Sequence, residues 1–186
     1  MMNFYRVSIL VIAMITSSNL MAQVGSLIFD YGISSSASIF SDESNTFNSV
    51  SVGYERVFKG ALTRFDFTAK NPGLAPLNDQ GMEYFYSGSI GVGKVINKGK
   101  PFQIPIVIHF GATKYKLFNE PQDVVFGPMI GTRINARFYI TEHIGITGGA
   151  TFDYHIITQL NGEELRNDDT LNGLISKYNA GLIIAF

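Results

Sequence analysis

Apolar and polar residues alternate along most of the chain after about residue 25. Eight segments carry an apolar or aromatic residue at most second positions, with Ser, Thr, Gly or charged residues between them. An extended strand points successive side chains to opposite faces, so each segment has one apolar and one polar face. The pattern predicts eight β-strands whose apolar rows cover residues 27–33, 50–58, 65–69, 82–92, 102–112, 126–140, 144–154 and 178–186.

The predicted connections alternate between long and short. Four are long (35–48, 71–81, 114–124 and 157–173), and three are short (59–60, 97–100 and 141–142). Barrels of the bacterial outer membrane show this asymmetry, with short periplasmic turns and longer external loops. We therefore predict an all-β fold, an eight-stranded antiparallel up-and-down transmembrane β-barrel with both termini on the periplasmic side.

The first residues have the layout of a secretory signal peptide. Residues 1–6 carry one positive charge, residues 7–15 are apolar apart from Ser8, and residues 16–22 are mostly small or polar. The apolar run is too short to span a bilayer as a helix. We predict cleavage after Ala22, with Ser18 as the alternative, so that residues 1–22 are a signal peptide and residues 23–186 form one barrel domain.

The C-terminal segment carries a resemblance to a known class of protein. Residues 178–186 place Tyr178, Ala180, Leu182, Ile184 and Phe186 in one row that ends on the aromatic residue. This end is similar to the C-terminal signal of outer-membrane barrels. Over roughly residues 24–186 the chain resembles the small outer-membrane barrels of OmpA/OmpX type. The resemblance implies a location in the outer membrane and a role in membrane integrity, adhesion or defence; some members are loosely called porins.

The polar faces of the predicted strands contain acids and bases that would share the barrel interior. Side chains roughly fill the space inside eight strands, and charges buried there are costly unless they are paired. We predict a structural ionic network in the lumen, with an ion path as the alternative. Its predicted members are Glu55, Arg64, Asp66, Glu83, Arg133, Arg137 and Asp153.

Four residues conflict with the simple alternation. Arg56 and Lys94 lie in apolar rows, where a charge at the membrane midplane costs about 2–4 kcal/mol, falling to about 0–1 kcal/mol near the interface. Both precede a predicted periplasmic turn by a few residues, so we expect them at that interface. Pro105 and Pro128 cannot donate to a strand ladder, and we expect a bulge or a strand end at each.

Candidate catalytic residues are few. Asp153 and His155 lie two residues apart on one strand face and would form an acid–base pair at the outer rim, similar to sites in barrel enzymes that modify lipid A. No motif of those enzymes is present, and no spacing of His, Cys or Asp indicates a metal site. We therefore expect a non-enzyme without cofactor or metal, with a lipid-modifying enzyme as an alternative.

The predicted external loops are acidic. They hold nine acids against three bases, Lys114, Lys116 and Arg166. The acids are Asp42, Glu43, Asp79, Glu120, Asp123, Glu163, Glu164, Asp168 and Asp169. A formal net charge of −1 gives no indication of nucleic-acid binding. The expected partners of a monomeric barrel are outer-membrane lipids and lipopolysaccharide, together with divalent cations or a basic partner at the loops.

A secreted, soluble, lipocalin-like barrel is a further alternative, because soluble sheets also alternate. In that protein the apolar rows would line an internal cavity for a small apolar ligand. Arg64, Asp66, Arg133 and Arg137 would then face water.

Overall fold

The computed structural model describes residues 25–37, 44–58, 60–70, 82–117, 124–164 and 171–186. These residues form eight long strands, one short hairpin whose two strands have two residues each, and the turns between them. The strands are β1 (Gly25–Ala37), β2 (Ser44–Phe58), β3 (Ala61–Lys70), β4 (Met82–Ile96), β5 (Phe102–Leu117), β6 (Val124–Tyr139), β7 (Ile144–Ile157), β8 (Gln159–Leu160), β9 (Glu163–Glu164) and β10 (Leu171–Ala185). The predicted signal peptide, residues 1–22, lies outside the described residues.

The long strands form a closed antiparallel barrel. Each of β1 to β7 pairs with its neighbour in sequence, and β10 pairs with both β7 and β1. At the seam, the backbones of Gly25 and Phe186 exchange two hydrogen bonds of 2.9 Å. The predicted eight-stranded up-and-down topology is confirmed. Closure removes the exposed sheet edges that would leave backbone groups unpaired.

The barrel has two different ends. The turn end carries Gly25, Phe186 and the short connections at 97–101 and 140–143. The loop end carries the connections between β1 and β2, β3 and β4, β5 and β6, and β7 and β10.

The predicted apolar rows face outward. Their side chains are exposed along every long strand, with Phe110 at 64 % and Ile140 at 65 % of full exposure. Charged residues such as Arg64 and Arg137 are buried inside. The soluble lipocalin-like alternative is wrong, because it required the aromatic rows to line the interior. Within the described residues, no helix is long and apolar enough to cross a membrane.

The strands extend further toward the loop end than the alternation predicts. The outward apolar row of β1 ends at Ile33, yet β1 continues pairing to Ala37, opposite Ser44. The predicted loop 157–173 also contains the β8–β9 hairpin, whose turn residues Asn161 and Gly162 have φ angles of 56° and 84°. Apolar alternation marks where the outer face is apolar, whereas backbone pairing continues beyond that region.

The two prolines behave differently. At Pro105 β5 keeps its register with both β4 and β6, so the predicted bulge or strand end is wrong there, although the pairing with β6 is interrupted at Ile104 and Pro105. At Pro128 β6 keeps its pairing with β5, but its register changes on the other side, so the irregularity lies in the facing strand rather than at the proline. Met129 pairs with His155 but Phe126 pairs with Gln159, which leaves one extra residue on the β7–β8 side.

The two charges in the apolar rows lie where the pattern predicts. Arg56 is two residues from the end of β2, and Lys94 is two residues from the end of β4. Both strand ends are at the turn end. Lys94 is exposed and Arg56 is half-buried. The flexible side chains can reach polar surroundings from these positions while their stems pack on apolar neighbours.

Candidate functional site

The centre of the lumen holds an ionic cluster built from β3 and β6. Arg64 and Asp66 lie two residues apart on β3, so both side chains point inward. The Arg64 guanidinium donates two hydrogen bonds of 2.8 Å to the Asp66 carboxylate. From β6, Arg133 donates a third hydrogen bond of 2.9 Å to Asp66 Oδ1. One carboxylate therefore holds two arginines together inside the barrel.

A second ion pair lies nearer the turn end. Both terminal nitrogens of Arg137 on β6 donate to the two carboxylate oxygens of Glu55 on β2. These residues are only 2 % and 3 % exposed. Arg64 Nη1 lies 3.7 Å from Glu55 Oε2, and Asp30 lies 3.6 Å from Arg64. The two pairs therefore form one continuous network across the lumen.

Glu83 is not part of this network, so its inclusion in the prediction is wrong. Its side chain is exposed at the loop end of β4 and pairs with Lys116 Nζ at 2.5 Å. The pairing of β4 with β5 shifts between Met82 and Tyr84, and this irregularity lies beside Glu83. Alternation therefore failed to place Glu83 because it assumes a regular ladder.

The charged residues that the structure places in the lumen balance, and they include Asp30 and Lys177 besides the predicted members. The acids are Asp30, Glu55, Asp66 and Asp153, and the bases are Arg64, Arg133, Arg137 and Lys177. Each of the three arginines contacts at least one carboxylate. Because an unpaired charge in this space is costly, the pairing explains how so polar an interior is compatible with a folded barrel. The arrangement ties strands together across the lumen.

Asp153, the last predicted member, pairs with a histidine. His109 Nε2 on β5 lies 2.6 Å from Asp153 Oδ1 on β7. His155 points into the lumen, is 1 % exposed, and neither of its ring nitrogens has a hydrogen-bond partner. The lipid-enzyme alternative required Asp153 and His155 together at the exposed outer rim, and the structure places both inside. No group of three potential metal ligands occurs in the described part of the chain.

Replacing Gly131 by alanine is expected to destabilise the barrel by about 1–3 kcal/mol through overpacking. A Cβ at Gly131 would lie 2.1 Å from Asp153 Oδ1 and 2.7 Å from His109 Nε2, so this pair would have to separate. Urea unfolding in lipid vesicles measures the change. Gly88→Ala is the control, because a Cβ there meets nothing within 4 Å. Equal stability of the two variants would contradict the close packing.

Apolar side chains pack together inside the lumen toward the loop end. Phe47, Phe85 and Ile175 are buried together, with Tyr115 packed against them. The ring centroids of Phe47 and Phe85 are 5.1 Å apart. The sequence prediction missed this cluster, although Phe85 was visible as an aromatic residue on an otherwise polar face. Below it, one void among the polar side chains measures about 10 Å³, roughly the space of one water molecule.

A larger cavity of about 780 Å³ occupies the turn end. The Glu55–Arg137 pair lies on its inner side, and residues of the two turns at 97–101 and 140–143 surround its mouth. Val57, Val95 and Tyr139 contribute to its walls. The sequence prediction missed this cavity as well, since alternation indicates which residues face inward but not how completely they fill the space.

Comparisons with known proteins support the fold. Neither a protein-family model nor a curated protein sequence matches the chain. The crystal structure of Neisserial surface protein A (NspA) aligns with a TM-score of 0.67 at 13 % identity, covering 87 % of this chain and 97 % of NspA. The N-terminal barrel domain of Pseudomonas aeruginosa OprF aligns with a TM-score of 0.53 at 8 % identity, covering 88 % and 97 %.

The attachment invasion locus protein Ail of Yersinia pestis aligns similarly. Its TM-score is 0.52 at 12 % identity, covering 88 % of this chain and 99 % of Ail. Identities this low establish a common architecture only. The chain therefore has the fold of the small bacterial outer-membrane β-barrels, as its alternation and loop lengths predict.

Proposed function

We propose that the protein is an integral outer-membrane barrel with a side-chain-filled polar lumen that acts through its external loops as a structural and surface-interaction protein. One observation carries the proposal: an apolar outer face surrounds a closed barrel whose interior is polar and ion-paired. Soluble monomers rarely expose a contiguous apolar patch larger than a few hundred Å². A continuous apolar belt on a barrel without edges is what a bilayer requires.

The ends of the barrel define the proposed orientation. Residues 1–22, as a signal peptide, would direct export and leave residues 23–186 as the barrel domain. The turn end would face the periplasm, with both barrel ends of the chain there. The loop end would face outward, because β1, β5 and the β8–β9 hairpin extend beyond the apolar rows on that side.

Lipid contacts at the loop end fit lipopolysaccharide. Lys114 is exposed and lies opposite Tyr86 in the pairing of β5 with β4. The Tyr86 ring lies 6.4 Å from that of Phe67 and 5.7 Å from that of Tyr84. Aromatic side chains of this kind sit at the membrane interface. A neighbouring lysine suits the phosphate groups of an outer-leaflet lipid.

The external loops supply the proposed surface interaction. Ail has been crystallised in complex with the heparin analogue sucrose octasulfate, a polyanion. The loops of the present chain are acidic, and the described residues Glu163 and Glu164 are exposed. Like charges repel, so we propose divalent cations or a basic partner here rather than a sulfated ligand. A monomeric barrel without enzymatic activity is sufficient for this role.

Membrane fractionation and gel mobility test the proposal. We expect the full chain, expressed in a Gram-negative host, in the outer-membrane fraction, and we expect its band to shift on boiling because a closed barrel resists unfolding in detergent. Known outer-membrane and periplasmic proteins in the same fractionation serve as controls. Recovery as a soluble periplasmic protein without a mobility shift would refute the membrane location.

A further inference from the structure

We propose that the turn-end cavity is a binding site for a small amphiphilic carboxylate that enters from the periplasmic side. The cavity is defined by the turns at 97–101 and 140–143, the inward side chains near the ends of β2, β4 and β6, and the Glu55–Arg137 pair. It is distinct from the external loops and from the apolar outer face.

The size and walls of the cavity suit a small organic molecule. Its volume of about 780 Å³ lies within the range of about 300–1,000 Å³ that small-molecule sites occupy. Val57 and Val95 provide aliphatic surface, and Tyr139 adds an aromatic wall. Such a surface favours a ligand with an apolar body over a bare inorganic ion.

The charged residues at the mouth of the cavity favour a negatively charged ligand. Lys98 and Lys100 lie on one turn, and Glu142 lies on the other. The deeper Glu55–Arg137 pair neutralises itself through its double hydrogen bond. Two lysines therefore face one accessible carboxylate, and the net positive charge at the mouth attracts an anion.

Arg137 at the deeper end offers the ligand no further donor. Arg137 uses its two terminal nitrogens for Glu55, and its Nε is buried out of reach of the cavity, so the lysines are the donors that a ligand would meet. A carboxylate accepts hydrogen bonds from the lysine ammonium groups, whereas a protonated amine cannot accept from them.

Local backbone geometry holds the two lysines at the mouth. Asn97 and Gly99 have positive φ angles of 58° and 78°, which form the tight turn that carries Lys98. Lys100 N donates to Asn97 O at 3.0 Å, and Gln103 Nε2 donates to Lys100 O at 3.1 Å. The lysines thus project from a braced turn, which lowers the ordering cost of binding.

Amide NMR shifts of the protein in phospholipid nanodiscs test the site with hexanoate as the probe. We expect saturable shifts at Gly99 and Thr141, which line the cavity, and none at Gly162 on the opposite end of the barrel. Hexanol and hexylamine, which have the same chain without the negative charge, should leave these resonances unchanged. Non-saturable shifts, shifts shared with hexanol, or shifts of the same size at Gly162 would overturn the proposal.

Two variants, each with its own control, test whether hexanoate binds in the cavity or is only attracted to lysine side chains. Lys98→Gln/Lys100→Gln should weaken hexanoate binding about tenfold, whereas Lys94→Gln, on the outer face near the same end of the barrel, should leave it unchanged. Val57→Phe, which fills the cavity, should abolish binding, whereas Val50→Phe on the lipid face of the same strand should not. Binding that survives both Val57→Phe and the loss of Lys98 and Lys100 would show that the cavity is not the site.

Discussion

Replacing Glu55 by alanine is expected to lower the free energy of unfolding of the membrane-embedded barrel by about 3–5 kcal/mol. The change removes the carboxylate that accepts both terminal nitrogens of Arg137 and lies 3.7 Å from Arg64. Arg137 would be left buried without its counter-charge, and desolvation of that charge accounts for the large effect. Urea titration of the protein in lipid vesicles, followed by gel mobility without boiling, measures the loss.

Glu83→Ala is the matched control for this prediction. Glu83 is the same residue type in an exposed ion pair with Lys116, so its removal should cost about 0–1 kcal/mol. A second test combines Glu55→Ala with Arg137→Ala, which should cost less than the sum of the single changes, because the two residues interact directly. A Glu55→Ala barrel as stable as the Glu83→Ala barrel would show that the ion pair does not stabilise the lumen.

Replacing Ile134 by arginine is expected to cost about 2–4 kcal/mol, because it places a charge near the midplane of the proposed bilayer. Ile134 lies near the middle of the apolar row of β6, faces outward, and pairs with Ile106 and Ala150, which also belong to outward rows. We expect a reduced yield of folded barrel in lipid vesicles and a lower urea midpoint.

Ile140→Arg is the control on the same apolar row. Ile140 follows the end of β6 at the turn end, where the arginine would reach the membrane interface at a cost of about 0–1 kcal/mol. A soluble protein would show no such dependence on depth, since both side chains would face water. Equal effects of the two substitutions would therefore contradict a membrane-spanning outer face.

The two expected effects act on opposite faces of the barrel wall, which have different roles. The outer face would hold the barrel in the proposed bilayer, while the ionic network joins β2, β3 and β6 across the lumen. In the middle of the barrel, the arginines of the described residues pair with carboxylates. We therefore place the proposed interactions with other molecules at the ends, the external loops on one side and the turn-end cavity on the other.

Much of the architecture could be predicted because the surroundings of each strand face determine whether its residues are apolar or polar. Lipid outside and a polar lumen inside require alternation at period two, so Phe65 and Phe67 could be assigned to one face and Arg64 and Asp66 to the other. The same reasoning placed Arg56 and Lys94 at the turn end. It failed at Glu83 and at Pro105, where the local course of the ladder, rather than the residue type, decided the outcome.

The sequence by itself determined the eight barrel strands, the faces of these strands, and the predicted charges of the interior apart from Glu83. Only the tertiary structure decided that Arg137 meets Glu55 and that Asp153 meets His109, because these partners lie 82 and 44 residues apart and meet only when the barrel closes. Closure also decided that Phe47, Phe85 and Ile175 pack together toward one end and that the other end holds a cavity. Alternation describes the residues along one strand. The ion pairs and the filling of the lumen by side chains depend on distances between strands, which the sequence of a single strand does not determine.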